Sequence, residues 1–210
     1  MKIRFALFPL ALCAALATPV AAGDAAPTVL GLGTSAPMKT VKMKNVDGRE
    51  LSIAEVAGAN GTLVLFSCNA CPWVKAWEKR IVDLGNHYAK RGIGVIVINA
   101  NDPARNAEDG YDVMQQRARE GGMRFPYVVD ATSDVARAFG ATRTPEAFLF
   151  DAAGELAYHG AVDDNAKEPR KVERRYLRDA LQALVESEEV AMKETKALGC
   201  SIKFRTKTGS

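Results

Sequence analysis

The spacing of hydrophobic residues changes along this chain, and each change marks a predicted element. Residues 62–66 form a short, continuous apolar run, which is typical of a strand buried on both faces. After this run, apolar side chains recur every three or four residues, which predicts an amphipathic helix from Cys71 until Gly92 ends it. The residues with helical spacing are Val74, Trp77, Ile81, Leu84 and Tyr88. A buried strand is therefore expected to lead directly into a helix.

Further elements are predicted on both sides of this strand and helix. Before them, apolar and polar residues alternate around Asp47-Gly48, which predicts a β-hairpin with its turn at these two residues. After them, the patterns predict strands at 93–98, 127–129, 147–150 and 156–159, and helices at 111–120, 134–139 and 170–188. Strands that alternate with helices indicate an α/β fold, with a mixed central β-sheet flanked by helices and an N-terminal hairpin extension.

The first residues have the pattern of an export signal. Lys2 and Arg4 are positively charged, an apolar run follows from residue 5 to 16, and small residues end at Ala22. The run is shorter than the roughly 20 apolar residues that cross a bilayer. We therefore expect a signal peptide at 1–22, an exported protein that is periplasmic or secreted, and no stable membrane span after signal removal. Acylation of Cys13 as in a lipoprotein is disfavoured, because Leu12 precedes it where a small residue is expected.

The rest of the chain is predicted to form one domain. An irregular lead-in rich in glycine and proline covers 23–38, the domain covers 39–188, and a basic tail that carries Cys200 covers 189–210. The formal net charge is only +3, and the basic stretch of the tail lacks interleaved aromatic residues. A nucleic-acid partner is therefore not indicated, and the tail is predicted to be a solvated end.

Cysteine usage points to redox chemistry. Beyond the export signal the chain keeps Cys68, Cys71 and Cys200, an odd number, so at least one thiol is unpaired at any moment. A scaffold held together by disulfides would need many more cysteines for this length.

Cys68 and Cys71 are separated by two residues, at the point where the predicted strand meets the predicted helix. This spacing permits a disulfide, and the first turn of a helix favours a thiolate through its unpaired N–H groups and its dipole. With the helix predicted from Cys71, Cys68 is expected to be the more exposed and more acidic sulfur and to act as nucleophile. Cys71 would then resolve the mixed disulfide. No cofactor or metal is expected, since the redox group is the Cys68–Cys71 disulfide itself.

Two alternatives for the cysteine pair remain open. A permanent cross-link is unattractive because so short a loop loses little entropy on closure. A zinc site would need two further ligands, and only Cys200, His87 and His159 are available. Both histidines are otherwise interpreted as surface or hydrogen-bonded residues.

Three motifs carry a family resemblance: FSCNACPWVK at 66–75, RTPEAFLFD at 143–151 and GCSIKF at 199–204. With them the chain resembles the redoxin, or peroxiredoxin-like, branch of the thioredoxin superfamily. The resemblance implies a thioredoxin-like fold with Pro145 in the place of the family's cis-proline beside the active-site cysteines. The backbone of Thr144 would then be free to pair with a bound substrate chain. Protein or small thiol and disulfide substrates and a redox partner protein are also implied.

Further residues are candidates through their positions in these motifs. Cys200 is a candidate third redox cysteine that would form a disulfide with Cys68 or Cys71, the alternative being an unpaired surface thiol or an intermolecular bridge. Lys75 lies one helical turn beyond Cys71, where its charge would stabilise a thiolate. The residues expected to line the site are Thr144, Asn69, Ala70, Trp73, Lys75 and Glu146.

Two rival functions are compatible with parts of the pattern. A peroxiredoxin-like thiol peroxidase would use a single acidic cysteine, but the threonine expected three residues before it is missing, since Leu65 precedes Cys68 and Cys68 precedes Cys71 at that distance. Arg143 keeps this alternative open. A copper-delivery protein of the same fold would have three residues between its two cysteines, before a proline, whereas two residues separate Cys68 and Cys71 here. His159 is the candidate for its distal histidine, although its match to that family's motif is poor.

Overall fold

The computed structural model describes Met1 and residues 28–206. The predicted signal at 1–22 and Cys13 lie outside the described residues, so export stays a prediction. Between residues 28 and 206 the strands are β1 Met43–Asn45, β2 Glu50–Leu51, β3 Gly61–Ser67, β4 Ile93–Asn99, β5 Tyr127–Val129, β6 Arg143–Thr144, β7 Glu146–Phe150, β8 Leu156–Gly160 and β9 Cys200–Ser201. The α-helices are α1 Pro72–Ala89, α2 Tyr111–Glu120, α3 Asp134–Phe139 and α4 Tyr176–Val185.

Seven of these strands form one mixed sheet in the order β2-β1-β5-β4-β3-β7-β8, and β6 and β9 form a separate pair. In the centre β3, β4 and β5 run parallel, with Ser67 opposite Asn99, while β7 runs antiparallel to β3. The carboxyl ends of parallel strands meet at one edge of a sheet. Cys68, which follows β3, therefore lies at the edge where β4 also ends.

Hydrophobic layers cover both faces of the sheet, because successive side chains of a strand point to opposite sides. On one face Leu63 packs with Trp77 of α1, and on the other Phe66 packs with Phe139 of α3 and Phe148 of β7. Every residue of β3 is buried. The predicted α/β architecture, with a mixed sheet between helices and a β1–β2 hairpin at its edge, is confirmed.

The last helix is shorter than the predicted 170–188, since α4 spans only Tyr176–Val185. The carboxylate of Asp164 accepts the backbone N–H groups of Glu173 and Arg174, at 3.2 and 3.1 Å. These N–H groups are bound by the loop before the helix, so the chain there is held out of helical conformation. Hydrophobic spacing alone does not reveal that a carboxylate elsewhere in the chain binds these N–H groups.

The tail, predicted at 193–207 to be a solvated end, docks on the domain at several points, although many of its side chains are exposed. The hydroxyl of Thr195 lies 2.8 Å from that of Tyr158, and β9 pairs with β6. Ile202, one residue beyond β9, is buried. Val190 is also buried and Phe204 packs against the core, whereas Met192 and Leu198 are exposed. The division of the chain at residues 38 and 188 stays a prediction.

No helix within residues 28–206 combines the length and the apolar composition that a membrane span requires.

Candidate active site

The two cysteines flank a short bend between β3 and α1. Cys68 follows the last residue of β3, and Cys71 is the N-cap of α1, with extended φ and ψ of −71° and 123°. Pro72 is the first helical residue, a position where its missing N–H costs no hydrogen bond. The helix thus begins one residue later than predicted, and its positive end faces Cys71 rather than Cys68.

Neither sulfur of this pair is exposed. Cys68 is 2 % and Cys71 3 % accessible, whereas Cys200 is partly exposed, and all three are free thiols. The prediction that Cys68 is the more exposed of the pair is therefore wrong.

Cys71 is the more acidic sulfur. Its pKa is lowered, first by a hydrogen bond from the Cys68 thiol and, against the opposing effect of burial, by further bonds from the Cys200 thiol, the Val74 backbone N–H and the Cys200 backbone N–H. Val74 is the third residue of α1, so its N–H is one of the helix donors that lack an intrahelical partner. Four donors around one sulfur favour its ionised form.

Cys68 shifts the opposite way. Its pKa is raised above the ordinary range, first because its thiol donates to Cys71, then by burial, and further by the negative charge of Asp109. A shared hydrogen bond leaves one proton on Cys68 and the charge on Cys71. The directions of the two pKa shifts are the reverse of the predicted acidities, which depended on where the helix starts. Which of the two sulfurs attacks a substrate stays a prediction.

Thr144 and Pro145 close the site from the opposite side. The Thr144–Pro145 peptide bond is cis, which confirms the place expected for Pro145. The hydroxyl of Thr144 lies 3.2 Å from the sulfur of Cys68, and its carbonyl oxygen lies 3.2 Å from that of Cys71, which donates to it when protonated. Both sulfurs therefore contact one buried residue of β6.

The backbone of Thr144 is not free, contrary to what the resemblance implied. Thr144 pairs with Cys200 and Arg143 pairs with Ser201 in the antiparallel β6–β9 ladder. The chain's own tail occupies this strand edge.

A buried carboxylate holds the bend between the cysteines. One oxygen of Asp109 accepts the backbone N–H groups of Asn69 at 2.7 Å and Ala70 at 3.2 Å, and the other accepts the side-chain amide of Asn101 at 2.9 Å. The hydroxyl of Tyr127 donates to the side-chain oxygen of Asn69 at 2.8 Å. Asn69 and Ala70 thus act through their N–H groups, which face the carboxylate and not the sulfurs.

Sequence reasoning missed Asp109, Asn101 and Tyr127. One signal was available: polar Asn99 and Asn101 directly follow the buried strand predicted at 93–98. Buried polar side chains require partners, so a polar network at that end was to be expected.

Among the other predicted lining residues, Trp73 is half-buried and packs against the cluster of Cys68, Cys71 and Val74. Lys75 is exposed, and its ammonium lies 2.8 Å from the carboxylate of Glu108. The predicted stabilisation of a thiolate by Lys75 is not observed, because the groups that lower the pKa of Cys71 are hydrogen-bond donors at the sulfur.

Glu146 supports the loop before the cis-proline. Its carboxylate accepts the backbone N–H groups of Thr142 and Arg143, both at 2.8 Å, and lies 2.8 Å from the ring nitrogen Nε2 of His159. Glu146 is therefore a buried anchor of the loop and not a group at the sulfurs.

The contact with Glu146 occupies the ring nitrogen Nε2 of His159. His159 was the candidate distal ligand of the copper alternative. Within residues 28–206, no group of three or more His, Cys, Asp and Glu side chains is arranged to hold a metal ion.

We expect the alkylation of Cys71 by iodoacetamide to persist as the pH is lowered from 8 to 6. A lowered pKa keeps the thiolate, which is the reactive form, present below the usual value of ~8.5. In Cys68→Ala the strongest donor is lost, so the pKa rises, and the rate at pH 6 falls by about tenfold for each unit by which the pKa then exceeds 6. Fragment masses of the tryptic peptide 50–75 locate the adduct.

Lys75→Met is the control for this experiment, and we expect it to leave the pH profile unchanged. A wild-type profile with its midpoint near 8.5 would contradict the assignment of the charge to Cys71.

Comparison with known proteins adds a family and a fold. The sequence model described as the AhpC/TSA family matches residues 32–159. A thiol-disulfide oxidoreductase ResA of Geobacillus thermodenitrificans is 26 % identical over 132 residues, which cover 61 % of this chain and 68 % of that protein.

Among solved structures, an uncharacterized conserved protein of Geobacillus kaustophilus is 35 % identical, with a TM-score of 0.79 over 85 % of this chain and 94 % of that one. A hypothetical protein of Sinorhizobium meliloti is 30 % identical, with a TM-score of 0.78 over 85 % and 97 %. A secreted disulfide oxidoreductase of Mycobacterium tuberculosis is 14 % identical with a TM-score of 0.52 and shares the fold. The thioredoxin-like fold implied by the resemblance is confirmed.

Proposed function

This chain belongs to the AhpC/TSA family, and we propose that it is an exported thiol-disulfide oxidoreductase that exchanges disulfides through Cys68 and Cys71, with Cys71 as the nucleophile. One observation carries the proposal: the sulfur of Cys71 lies at the N-terminus of α1, in contact with both Cys68 and the cis-proline loop. The relatives named thiol-disulfide oxidoreductase support this class of reaction.

The first step forms a mixed disulfide. The thiolate of Cys71 attacks one sulfur of a substrate disulfide, the substrate S–S bond breaks, and the second substrate sulfur leaves as a thiolate. The donors around Cys71 hold this sulfur ionised at neutral pH, so no base has to remove a proton at this moment.

The second step is the attack of Cys68 on the sulfur of Cys71. In the mixed disulfide Cys71 is neutral, so the hydrogen bond and the charge that raise the pKa of Cys68 are lost. Cys68 then ionises more readily, forms the Cys68–Cys71 disulfide and releases the second substrate thiolate. Two electrons pass from the cysteine pair to the substrate, and the protons are exchanged with water.

The peroxidase alternative has weaker support. The guanidinium of Arg143, which kept it open, lies on the surface with a nitrogen 3.5 Å from the carbonyl oxygen of Gly199 in the tail. A second sulfur beside the acidic one, as Cys68 is here, suits exchange between sulfurs.

Export remains part of the proposal through the pattern of residues 1–22, as do protein or small thiol and disulfide substrates and a redox partner protein.

The test compares two oxidants under single-turnover conditions. We expect the reduced protein to reduce insulin or oxidised glutathione while a Cys68–Cys71 disulfide forms, which mass spectrometry detects as the loss of two hydrogens within peptide 50–75. Hydrogen peroxide should react no faster than it does with a free thiolate at the same pH. A fast reaction with peroxide, together with inert disulfides, would refute the proposal and favour the peroxidase.

A further inference from the structure

Three sulfurs form a series from the surface to the interior. Cys200 is partly exposed, Cys71 is 3 % accessible and Cys68 is 2 % accessible. Cys71 is the centre of the series, because Cys200 packs against the cluster that contains Cys71 and Cys68, and both neighbouring thiols lower the pKa of Cys71. A sulfur that contacts two thiols has two partners for a disulfide.

Backbone pairing holds Cys200 in this place. Cys200 is the partner of Thr144 in the β6–β9 ladder, and Thr144 contacts both inner sulfurs. The backbone N–H of Cys200 also donates to the sulfur of Cys71. The main-chain pairing therefore fixes the position of Cys200 beside Thr144.

The tail is anchored on both sides of Cys200. Before it, the Thr195 hydroxyl accepts the backbone N–H of Ala161 at 2.9 Å. After it, the backbone N–H of Ile202 donates to the carbonyl of Thr142 at 3.0 Å, and that of Lys203 donates to the side-chain oxygen of Asn101 at 2.8 Å. Two anchors raise the local concentration of the Cys200 thiol at Cys71 above that of a loose tail.

Gly199 permits this close approach. A Cβ atom at this position would lie 2.2 Å from the carbonyl oxygen of Thr144 and 2.6 Å from its carbonyl carbon. These contacts are shorter than any side chain tolerates, so a larger residue here would push the strand away from β6. The glycine thus serves the docking of the adjacent cysteine.

We propose that Cys200 is a third catalytic cysteine, which forms a disulfide with Cys71 and exchanges with the outside substrate. The proposal rests on the proposed function, since it names the sulfur through which the Cys68–Cys71 pair is reached. The β6–β9 ladder, the packing of Cys200 against the cluster of Cys68 and Cys71, and the partial exposure of Cys200 carry it.

The substrate is oxidised in successive thiol–disulfide exchanges at Cys71 and Cys200. The Cys200 thiolate first attacks Cys71 in the Cys68–Cys71 disulfide, that bond breaks, and Cys68 leaves as a thiolate, which gives the Cys71–Cys200 disulfide. A substrate thiolate then attacks the sulfur of the partly exposed Cys200, the Cys71–Cys200 bond breaks, and Cys71 leaves as a thiolate. A second substrate thiolate then attacks the substrate sulfur of the mixed disulfide on Cys200, and the bond to Cys200 breaks. The products are a substrate disulfide and the Cys200 thiolate, so two electrons enter the protein. The direction of attack follows from the lowered pKa of Cys71 and the raised pKa of Cys200, since the more acidic thiol leaves faster.

Because β9 occupies the edge of β6 at Thr144, the site also limits which substrates can bind. An extended polypeptide cannot pair with Thr144 while β9 is docked there. The fitting substrate is a small thiol or disulfide, or a protein cysteine that projects far enough to meet Cys200 at the surface.

The test isolates Cys71 and Cys200 in a Cys68→Ala variant equilibrated with glutathione buffers. Trypsin leaves Cys71 in peptide 50–75 and Cys200 in peptide 197–203, so a cross-linked pair of peptides reports the disulfide. We expect an intramolecular disulfide that forms at about 100-fold more reducing glutathione ratios than in the control below. Cys68→Ser provides a second background if the alanine variant is not folded.

The matched control moves the thiol by one residue, through Cys200→Ser combined with Ser201→Cys in the same background. Neighbouring residues of a strand point to opposite faces, so this thiol has the same tether and the wrong direction. Gly199→Ala, which displaces the strand, should also weaken the disulfide by at least about tenfold. Equal oxidation of the variant and the control, or glutathione adducts in place of the cross-link, would overturn the proposal.

Measurements of disulfide exchange distinguish the role of Cys200 from the proposed function of Cys68 and Cys71. Cys200→Ser should lower the exchange with glutathione by about tenfold or more. Full activity of Cys200→Ser, together with an inactive Cys71→Ser, would overturn the role of Cys200 and leave the proposed function intact. Full activity of Cys71→Ser would refute the proposed function itself.

Discussion

Cys71→Ser should lower the rate of disulfide exchange by about 10³-fold or more, the largest loss expected for any single change in this protein. A serine hydroxyl does not ionise at neutral pH, so the attack on the substrate disulfide is lost. Cys68→Ser should behave differently, since it keeps the attacking sulfur and removes one that resolves the mixed disulfide.

The two variants are matched, because each replaces one sulfur of the same contact with oxygen. We expect Cys68→Ser to accumulate a substrate adduct on Cys71, most fully when Cys200 is also replaced by serine. Acid quenching and mass spectrometry of peptide 50–75 detect the adduct and locate it. An adduct on Cys68 in the Cys71→Ser variant would mean that the two roles are the reverse of those assigned.

Asp109→Ala should lower the free energy of unfolding by about 2–5 kcal/mol, because it leaves three buried donors without a partner. The donors are the backbone N–H groups of Asn69 and Ala70 and the side-chain amide of Asn101. Asp109 is itself 3 % accessible, so water reaches the site only through rearrangement. Urea unfolding monitored by circular dichroism measures the loss.

Asp109→Asn separates charge from hydrogen bonding at the same position. Its carbonyl oxygen still accepts from the bend, but its amide faces the amide of Asn101, so a smaller loss of about 1–3 kcal/mol is expected. Removal of the negative charge should lower the pKa of Cys68, because Asp109 is one of the groups that raise it. Alkylation of Cys68 at pH 8 should therefore become faster.

Glu108→Gln is the control, because it removes the neighbouring carboxylate, whose ion pair with Lys75 is exposed. Exposed pairs contribute about 0–1 kcal/mol, so little change is expected in stability or in Cys68 reactivity. Equal effects of Asp109→Asn and Glu108→Gln on Cys68 would exclude the buried carboxylate as the cause.

Much of the fold could be predicted because it depends on residues that are close in sequence. The bounds of α2 and α3 and the buried strand β3 agree with the hydrophobic spacing. Helix α4 departs from its pattern where Asp164 binds the backbone N–H groups of a segment about ten residues later. Periodicity describes one segment at a time, so a distant competitor for its N–H groups is not visible in it.

The candidate site also combines features that local sequence predicts with features that depend on distant contacts. The sequence by itself determined that Cys68 and Cys71 lie between a buried strand and a helix, since both the spacing and the elements are local. Only the tertiary structure decided that Thr144 contacts both sulfurs and that Cys200 packs against the pair. Thr144 lies 76 and 73 positions from Cys68 and Cys71, and contacts over such sequence distances leave no periodic pattern in the chain.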